Sequence, residues 1–313
     1  MCGMTGWLSF SRDVQAHSET LQRMTDTLAL RGPDAQGQWI DGPIGLGHRR
    51  LSIIDLEGGR QPMVADHDGQ RAAAVISYTG EVYNFRELRR DLQACGHRFG
   101  TQSDTEVVLR AYLQWGAAFV ERLNGMYAFA LWDRVKQQLL LVRDRMGVKP
   151  LYYFQTDDGV VFGSEPKALL AHPLVPSKVT AEGLREILEM VKTPGQAIFA
   201  GMREVLPGEM IKVDRGGLSR YRYWKLEAWE HGDTLEQTIH HTRDLLEDIV
   251  ERQIVADVPL CSLLSGGLDS SIITALASKK LLAQGKDNIR SFSVDFADHG
   301  GGFTGDAVRG TPD

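Results

Sequence analysis

The sequence predicts an α+β first unit layered helix–sheet–sheet–helix, followed by the start of a parallel α/β unit. Two patterns carry that prediction. Between residues 126 and 162, four short strand-like runs follow one another at hairpin spacing, with few intervening helices, which favours antiparallel layers over a parallel sheet. Near the C-terminal end, a strand, a Gly/Ser-rich loop, a helix and a second strand occur in the order of a parallel, nucleotide-binding type of sheet. A length of 313 residues accommodates both on the soft prior of roughly 150 residues per domain.

The elements follow in order. Residues 4–10 read as a strand, and residues 17–29 as a helix with Leu21, Met24 and Leu28 on one face. Arg31-Gly-Pro-Asp34 breaks that helix. Residues 44–54 read as a strand carrying Arg49 and Arg50, residues 72–82 as another, and residues 84–94 as a helix closed by Gly96. A helix over 105–123 is capped by Ser103 or Asp104. Strands follow at 126–132, 138–143, 151–154 and 160–162, then a helix at 181–191 and a hairpin near 205–213. Residues 2–217 thus form one domain, 218–236 a charged, aromatic linker without clear period, and 237–313 the beginning of a second domain. In that second domain we expect a helix at 238–254, strands at 260–264 and 291–296 flanking a helix at 272–282, and a mobile Gly-rich tail at 299–313.

Composition excludes several classes. A net charge of −6 argues against nucleic acid or a membrane surface held through bulk charge. Cys2, Cys95 and Cys261 are odd in number and without metal-like spacing, which suits a reducing cytoplasm better than a disulfide framework. No apolar run approaches the ~20 residues of a membrane span, and the N-terminus lacks a signal-peptide layout.

Cys2 is the chemically loaded residue. Once Met1 is clipped, its thiol and its own α-amine sit on one residue, a complete nucleophile-plus-base unit. An α-amine titrates at about 7.7–8.0, against about 10.4 for lysine, so it accepts a proton near neutrality without heavy desolvation. Alone, Cys2 reads as a small residue near a frayed start. Its company changes that reading. Cys2-Gly3, Arg31-Gly-Pro-Asp34, Arg50-Leu-Ser-Ile-Ile-Asp55, Gly80-Glu-Val-Tyr-Asn84, Ser103-Asp-Thr-Glu106, Leu123-Asn-Gly-Met-Tyr-Ala-Phe129, Arg143-Asp-Arg-Met-Gly-Val-Lys-Pro150 and Ser265-Gly-Gly-Leu-Asp-Ser270 occur together and in order. As a set they resemble glutamine-hydrolysing asparagine synthetase, up to about Phe296. The first domain resembles its glutamine amidotransferase part, an N-terminal-nucleophile hydrolase.

The resemblance implies a mechanism and a set of residues. Cys2 attacks the glutamine carboxamide and its amine shuttles the proton. Arg50 matches the substrate carboxylate through a guanidinium fork, and Asp104, helped by Glu81, takes the ammonium; Leu51, Ile53, Ile54 and Gly80 complete the pocket. Singly, Arg50 reads as a surface strand arginine and Asp104 as a helix cap. The family holds the oxyanion with an Asn side chain and the following glycine N–H, whereas here Thr79 precedes Gly80. Loss of one such donor costs roughly 10²–10³ in rate, so a weakened or re-tuned glutaminase with Thr79 as donor is expected. Leu30 stands where family members often carry histidine.

Ser265-Gly-Gly-Leu-Asp-Ser270 lacks the lysine of a Walker loop. Its glycines, serines and following helix N-terminus suit a pyrophosphate, against the plainer reading of a glycine turn. By resemblance it is the pyrophosphate loop of enzymes that adenylate a carboxylate. Ser265, Gly266, Gly267 and Ser270 would hold ATP, Leu264 and Val294 would face adenine, and Asp269 would help hold Mg²⁺. Aspartate is the implied acceptor, and a homodimer is left open. The glutaminase half needs no cofactor. Glutaminase competence without ATP-dependent synthesis is expected of this length of chain, because the later synthetase strands lie beyond it. A glutaminase serving a peptide or natural-product acceptor, or a non-catalytic glutamine- or nucleotide-binding relative, are the alternatives. Cys95, Cys261, Trp39, Trp115 and Trp132 read as packing residues, His240-His241 as a polar helix face, and Arg143-Asp-Arg145 as either a structural ion-pair turn or an interdomain contact.

Overall fold

The computed structural model describes residues 1–65 and 73–294. The chain divides into two compact units, Met1–Ala228 and Trp229–Asp313.

The first unit alternates strands and helices as β1 (Gly3–Ser9), α1 (Ser18–Asp26), β2 (Ala35–Asp41), β3 (Ile44–Arg50), β4 (Met63–Val64), β5 (Ala74–Val82), α2 (Phe85–Ala94), α3 (Asp104–Trp115), β6 (Gly125–Asp133) and β7 (Gln138–Arg143). It continues with β8 (Tyr152–Thr156), β9 (Gly159–Gly163), α4 (Pro166–Leu170), α5 (Ala181–Glu189), β10 (Met202–Glu204), β11 (Glu209–Asp214) and β12 (Gly217–Arg222). The strands form two six-stranded sheets, ordered β10-β8-β9-β1-β3-β2 and β12-β11-β7-β6-β5-β4. The strand pairings within both are antiparallel.

Side-chain alternation explains the layering. In β6, Ala128, Ala130 and Trp132 point into a core shared with Met4 and Leu8 of β1, Leu46 of β3 and Phe162 of β9, so the two sheets pack face to face. On the other face of β6, Tyr127 and Phe129 join a chain of rings that includes Phe119 and Tyr112 of the α3 region. The opposite outer face is covered by α1 and α4, whose Met24 and Leu169 pack on Trp7 and Val161. Burying each such side chain contributes about 1.5–3 kcal/mol. The layering is therefore helix–sheet–sheet–helix.

Local expectations needed correction. The helix expected over 105–123 stops at Trp115, where Gly116 takes a φ of 58°, and continues as a 3₁₀ turn over Gly116–Arg122. The strand expected over 44–54 ends at Arg50, and residues 51–54 form a loop. The hairpin expected near 205–213 does not form: β10 belongs to one sheet and β11 to the other, and β11 pairs with β12 instead. That strand occupies the opening of the segment read as a linker. Strands β2 and β4 were not anticipated.

In the second unit, α6 (Leu235–Gln253) starts from a Thr234/Gln237 capping box. It is followed by β13 (Cys261–Leu263), α7 (Leu268–Ala283) and β14 (Arg290–Phe292). β13 and β14 are parallel, as the β–loop–α–β order requires. Val250, Ile254, Ala277 and Leu281 form its small core. Cys95 and Cys261, expected to be buried, are both exposed: one caps the end of α2, and the other lies in a sheet of two strands. Residues 295–296 of the expected last strand, residue 72 of an earlier one and the 299–313 tail lie outside the described residues.

Candidate active site

A cavity of about 270 Å³ opens at the start of β1 and brings together Cys2, Arg50, Leu51, Ile53, Ile54, Gly80, Glu81 and Asp104. Register explains the convergence. Gly3 pairs with Arg49, which sets Cys2 beside the end of β3, while β5 of the other sheet supplies Gly80 and Glu81. The sheets are laced together at this end, where Ser77 Oγ donates to Gly47 O (3.2 Å) and His48 Nε2 bonds Tyr78 O (2.9 Å). Burial holds the His48 pKa down at about 4, so the ring is neutral.

Cys2 is fixed on two sides. Its Sγ donates to Leu51 O at 3.4 Å and accepts from Leu51 N–H at 3.3 Å. Its carbonyl oxygen accepts from Arg31 Nε and from Thr79 Oγ1, each at 2.9 Å. Arg31 is braced in turn by Glu165 at 2.9 Å, and Asp34 of the same turn accepts from Ser52 N–H at 2.8 Å, holding the 51–54 loop. Burial raises the thiol's pKa, opposed by the Leu51 N–H bond and by neighbouring cations. Such a thiol needs a base to become a nucleophile.

The Thr79 hydroxyl, expected as an oxyanion donor, is engaged elsewhere in this structure. The side chain is fully buried, its hydroxyl donates to the Cys2 carbonyl, and it does not line the cavity. Gly80 does line the cavity, with a φ of 133° that L side chains rarely adopt.

Arg50 donates from Nη1 to Leu56 O (2.6 Å) and from Nη2 to Ile54 O (3.1 Å) and Asp55 O (2.6 Å). Its guanidinium therefore offers the cavity its charge and remaining N–H groups, not a free fork. Asp104 opens α3, while Ser103 is the cap, accepting from Thr105 N–H at 3.2 Å. The Asp104 carboxylate accepts from Tyr78 Oη at 2.8 Å and Val82 N–H at 3.1 Å; burial nevertheless raises its pKa. Glu81 is pushed up to about 7 by burial first and Asp104 second, with Lys149 opposing.

Lys149, Tyr78, Gln61 and Met1 also line the cavity and were not singled out from sequence. The signal for Lys149 lay in the Arg143–Pro150 motif, where an ion-pair turn or an interdomain contact was read for Arg143-Asp-Arg145. The turn is built of hydrogen bonds: Arg143 donates to Lys149 O (2.8 Å) and Gly147 O (2.7 Å), and its ion pair, at 3.2 Å, is with Glu204 outside the turn. Asp144 accepts from the N–H groups of Tyr127, Met146, Val148 and Lys149.

In the second unit, Ser265, Gly266, Gly267, Asp269 and Ser270 form a loop and first helical turn after β13, with Leu264 at its start. Gly266 has a φ of 86°, and Ser270 Oγ lies 3.1 Å from Ser265 Oγ. Leu264 N–H donates to Phe292 O, which brings the ends of β13 and β14 together, and Val294 follows β14 at 89% exposure. Among the described residues, no group of three His, Cys, Asp or Glu side chains could hold a metal ion. Nor is any helix among them long and apolar enough to cross a membrane.

Comparison with known proteins agrees with this division. A family model described as a glutamine amidotransferase domain matches residues 1–224, and one described as asparagine synthase matches residues 241–306. The chain is 42% identical to asparagine synthetase [glutamine-hydrolyzing] 3 of Bacillus subtilis (100% of this chain, 51% of that protein). It is 31% identical to amidase chry2 of Gibberella zeae (100% of this chain, 49% of that protein). The chain thus spans about half the length of the curated relatives it matches. Among solved structures it resembles the glutamine phosphoribosylpyrophosphate amidotransferase of B. subtilis, with a TM-score of 0.51 at 16% identity, covering 94% of this chain and 65% of that one. The fold is that of an α+β N-terminal-nucleophile hydrolase. With the amidotransferase model matched over residues 1–224 of 313, the chain belongs to the glutamine amidotransferase domain family.

Proposed function

We propose that the first unit hydrolyses glutamine to glutamate and ammonia, and that the ammonia serves ATP-dependent amidation of aspartate to asparagine. One observation carries the first half: a single cavity holds the Cys2 thiol, the Arg50 cation, and the Glu81 and Asp104 carboxylates. Glutamine carries a carboxamide, a carboxylate and an ammonium, one group for each.

With Met1 removed, the Cys2 amine accepts the thiol proton as Sγ attacks the carboxamide carbon. The C–N bond breaks, the same proton leaves on ammonia, and a thioester remains. Water then cleaves the thioester, releasing glutamate and restoring the thiol. The Gly80 N–H is the backbone donor proposed for the oxyanion, with Thr79 acting behind it through the Cys2 carbonyl. In this reading Leu51, Ile53 and Ile54 wall the cavity.

The second half is supported by the asparagine synthase match at 241–306 and by parallel β13 and β14 with a Gly/Ser loop between them. Ser265, Gly266, Gly267 and Ser270 are the proposed pyrophosphate contacts, and Leu264 and Val294 the adenine neighbours. Asp269, exposed in the first turn of α7, fits as one ligand to a Mg²⁺ already carried by phosphates. The resemblance to a fungal amidase favours a second reading, in which the same glutaminase serves another amide acceptor.

The test is glutamate release from glutamine by the wild-type chain and by Cys2→Ala, with the mature N-terminus checked by mass spectrometry. The expected outcome is release by the wild type and loss of at least roughly 10⁴-fold in the variant. Equal rates in the two, or a wild-type chain that binds glutamine without turnover, would refute the assignment.

A further inference from the structure

Lys149 is a buried lysine with no part in the chemistry so far assigned. Its residue is 3% exposed. Its backbone is clamped on both sides, the N–H by Asp144 at 2.9 Å and the carbonyl by Arg143 at 2.8 Å. The side chain lines the same cavity as Cys2 and Glu81, and its Nζ lies 3.0 Å from Met1 Sδ. The ammonium is therefore aimed at the residue that precedes the nucleophile. Excision of Met1 removes that contact and leaves the ammonium in the cavity that the new Cys2 terminus also lines.

We propose that Lys149 is a positioning residue for the Cys2 base: its fixed positive charge keeps the neighbouring terminal amine unprotonated, the form that takes the thiol proton. The inference rests on the glutaminase reading above. Charges around this corner bear on it from every side. The Met1 amine that occupies it is held below the ordinary α-amine range by burial, with Arg31 and Lys149 adding to the effect and Cys2 and Asp34 opposing it. Lys149 itself is held down by burial and by Arg31, against Glu81, Cys2 and Asp144. A cation beside an amine disfavours its protonated form, so removing the cation moves the amine's titration upward.

The experiment is the pH dependence of kcat for glutamate release, on chains whose N-terminal Cys2 is verified by mass spectrometry. On the proposed reading the bound substrate's ammonium occupies Glu81, so kcat, which reports the enzyme–substrate complex, follows the amine, while kcat/KM reports the free enzyme and includes the carboxylate. The wild-type acid limb is expected below the ordinary α-amine value of about 7.7–8.0. In Lys149→Met, or Lys149→Gln as a second neutral variant, it is expected about one unit higher, a roughly tenfold loss of kcat on the acid side that recovers at high pH. Lys149→Arg restores the wild-type limb. Alkylation of Cys2 by iodoacetamide, followed against pH without substrate, should shift in the same direction.

A wild-type limb at or above about 8 overturns the proposal without any variant. So does an unshifted limb in a folded neutral variant, and so does a loss of kcat that is uniform across pH. A wild-type chain with no glutaminase activity sinks the underlying function instead, and this proposal with it.

Discussion

The loop around Cys2 and the loop around Ser265 are both proposed to hold polar substrates, yet they are built in opposite ways. Cys2 is gripped through its sulfur and its carbonyl by groups from β5, the Arg31 turn and the Leu51 loop, and its charged neighbours Arg50, Asp104 and Lys149 are buried. The Ser265 loop is exposed, and its hydrogen bonds run mainly among Ser265, Gly267 and Ser270. A site that must desolvate a thiol and sort two opposite substrate charges needs groups placed before the substrate arrives. A pyrophosphate loop needs only backbone N–H groups and hydroxyls that close on an anion.

That contrast can be tested at both ends. The largest effect is expected at Asp104. Asp104→Asn keeps the shape but removes the charge facing the substrate ammonium, and KM for glutamine should rise by roughly 10–100-fold, the worth of a charge-assisted hydrogen bond. A KM within a factor of two of wild type would move the ammonium site to Glu81 alone. Thr79→Val comes next. Losing the bond to the Cys2 carbonyl should lower stability by about 1 kcal/mol in urea unfolding, and kcat by roughly fivefold, because Arg31 still holds that oxygen. A fall of roughly 10² in kcat with stability intact would instead put the hydroxyl on the oxyanion. Gly266→Ala should matter least to the first unit. It forces a side chain into a left-handed conformation in the second, at about 1 kcal/mol to that unit's thermal stability, with glutamate release unchanged. A parallel loss of glutamate release would show that the two loops are energetically coupled.

Much of the site was legible because its residues come in motifs whose chemistry is local. Cys2, Arg50, Glu81 and Asp104 each carry a group that the proposed glutamine substrate would require, and they meet in one cavity. What local reading misses is direction. Thr79 and Gly80 are adjacent on β5, and strand alternation sends one side chain toward Cys2's backbone while Gly80 lines the cavity. Lys149 was hidden for a related reason: its motif was read for Arg143 and Asp144, whereas its own side chain lines the cavity. The fold class followed from hairpin spacing. The exchange of β10 and β11 between sheets did not, because Pro207-Gly208 reads equally well as a hairpin turn. Cys95 and Cys261 were misjudged because apolar company in sequence was taken for burial in space.

The double grip on Cys2 has one more consequence. None of the hydrogen bonds that seat its sulfur and carbonyl involves Met1. On the proposed reading, maturation is then a subtraction: an aminopeptidase uncovers a nucleophile already resting in its working pose, and activation requires no refolding of the scaffold around it.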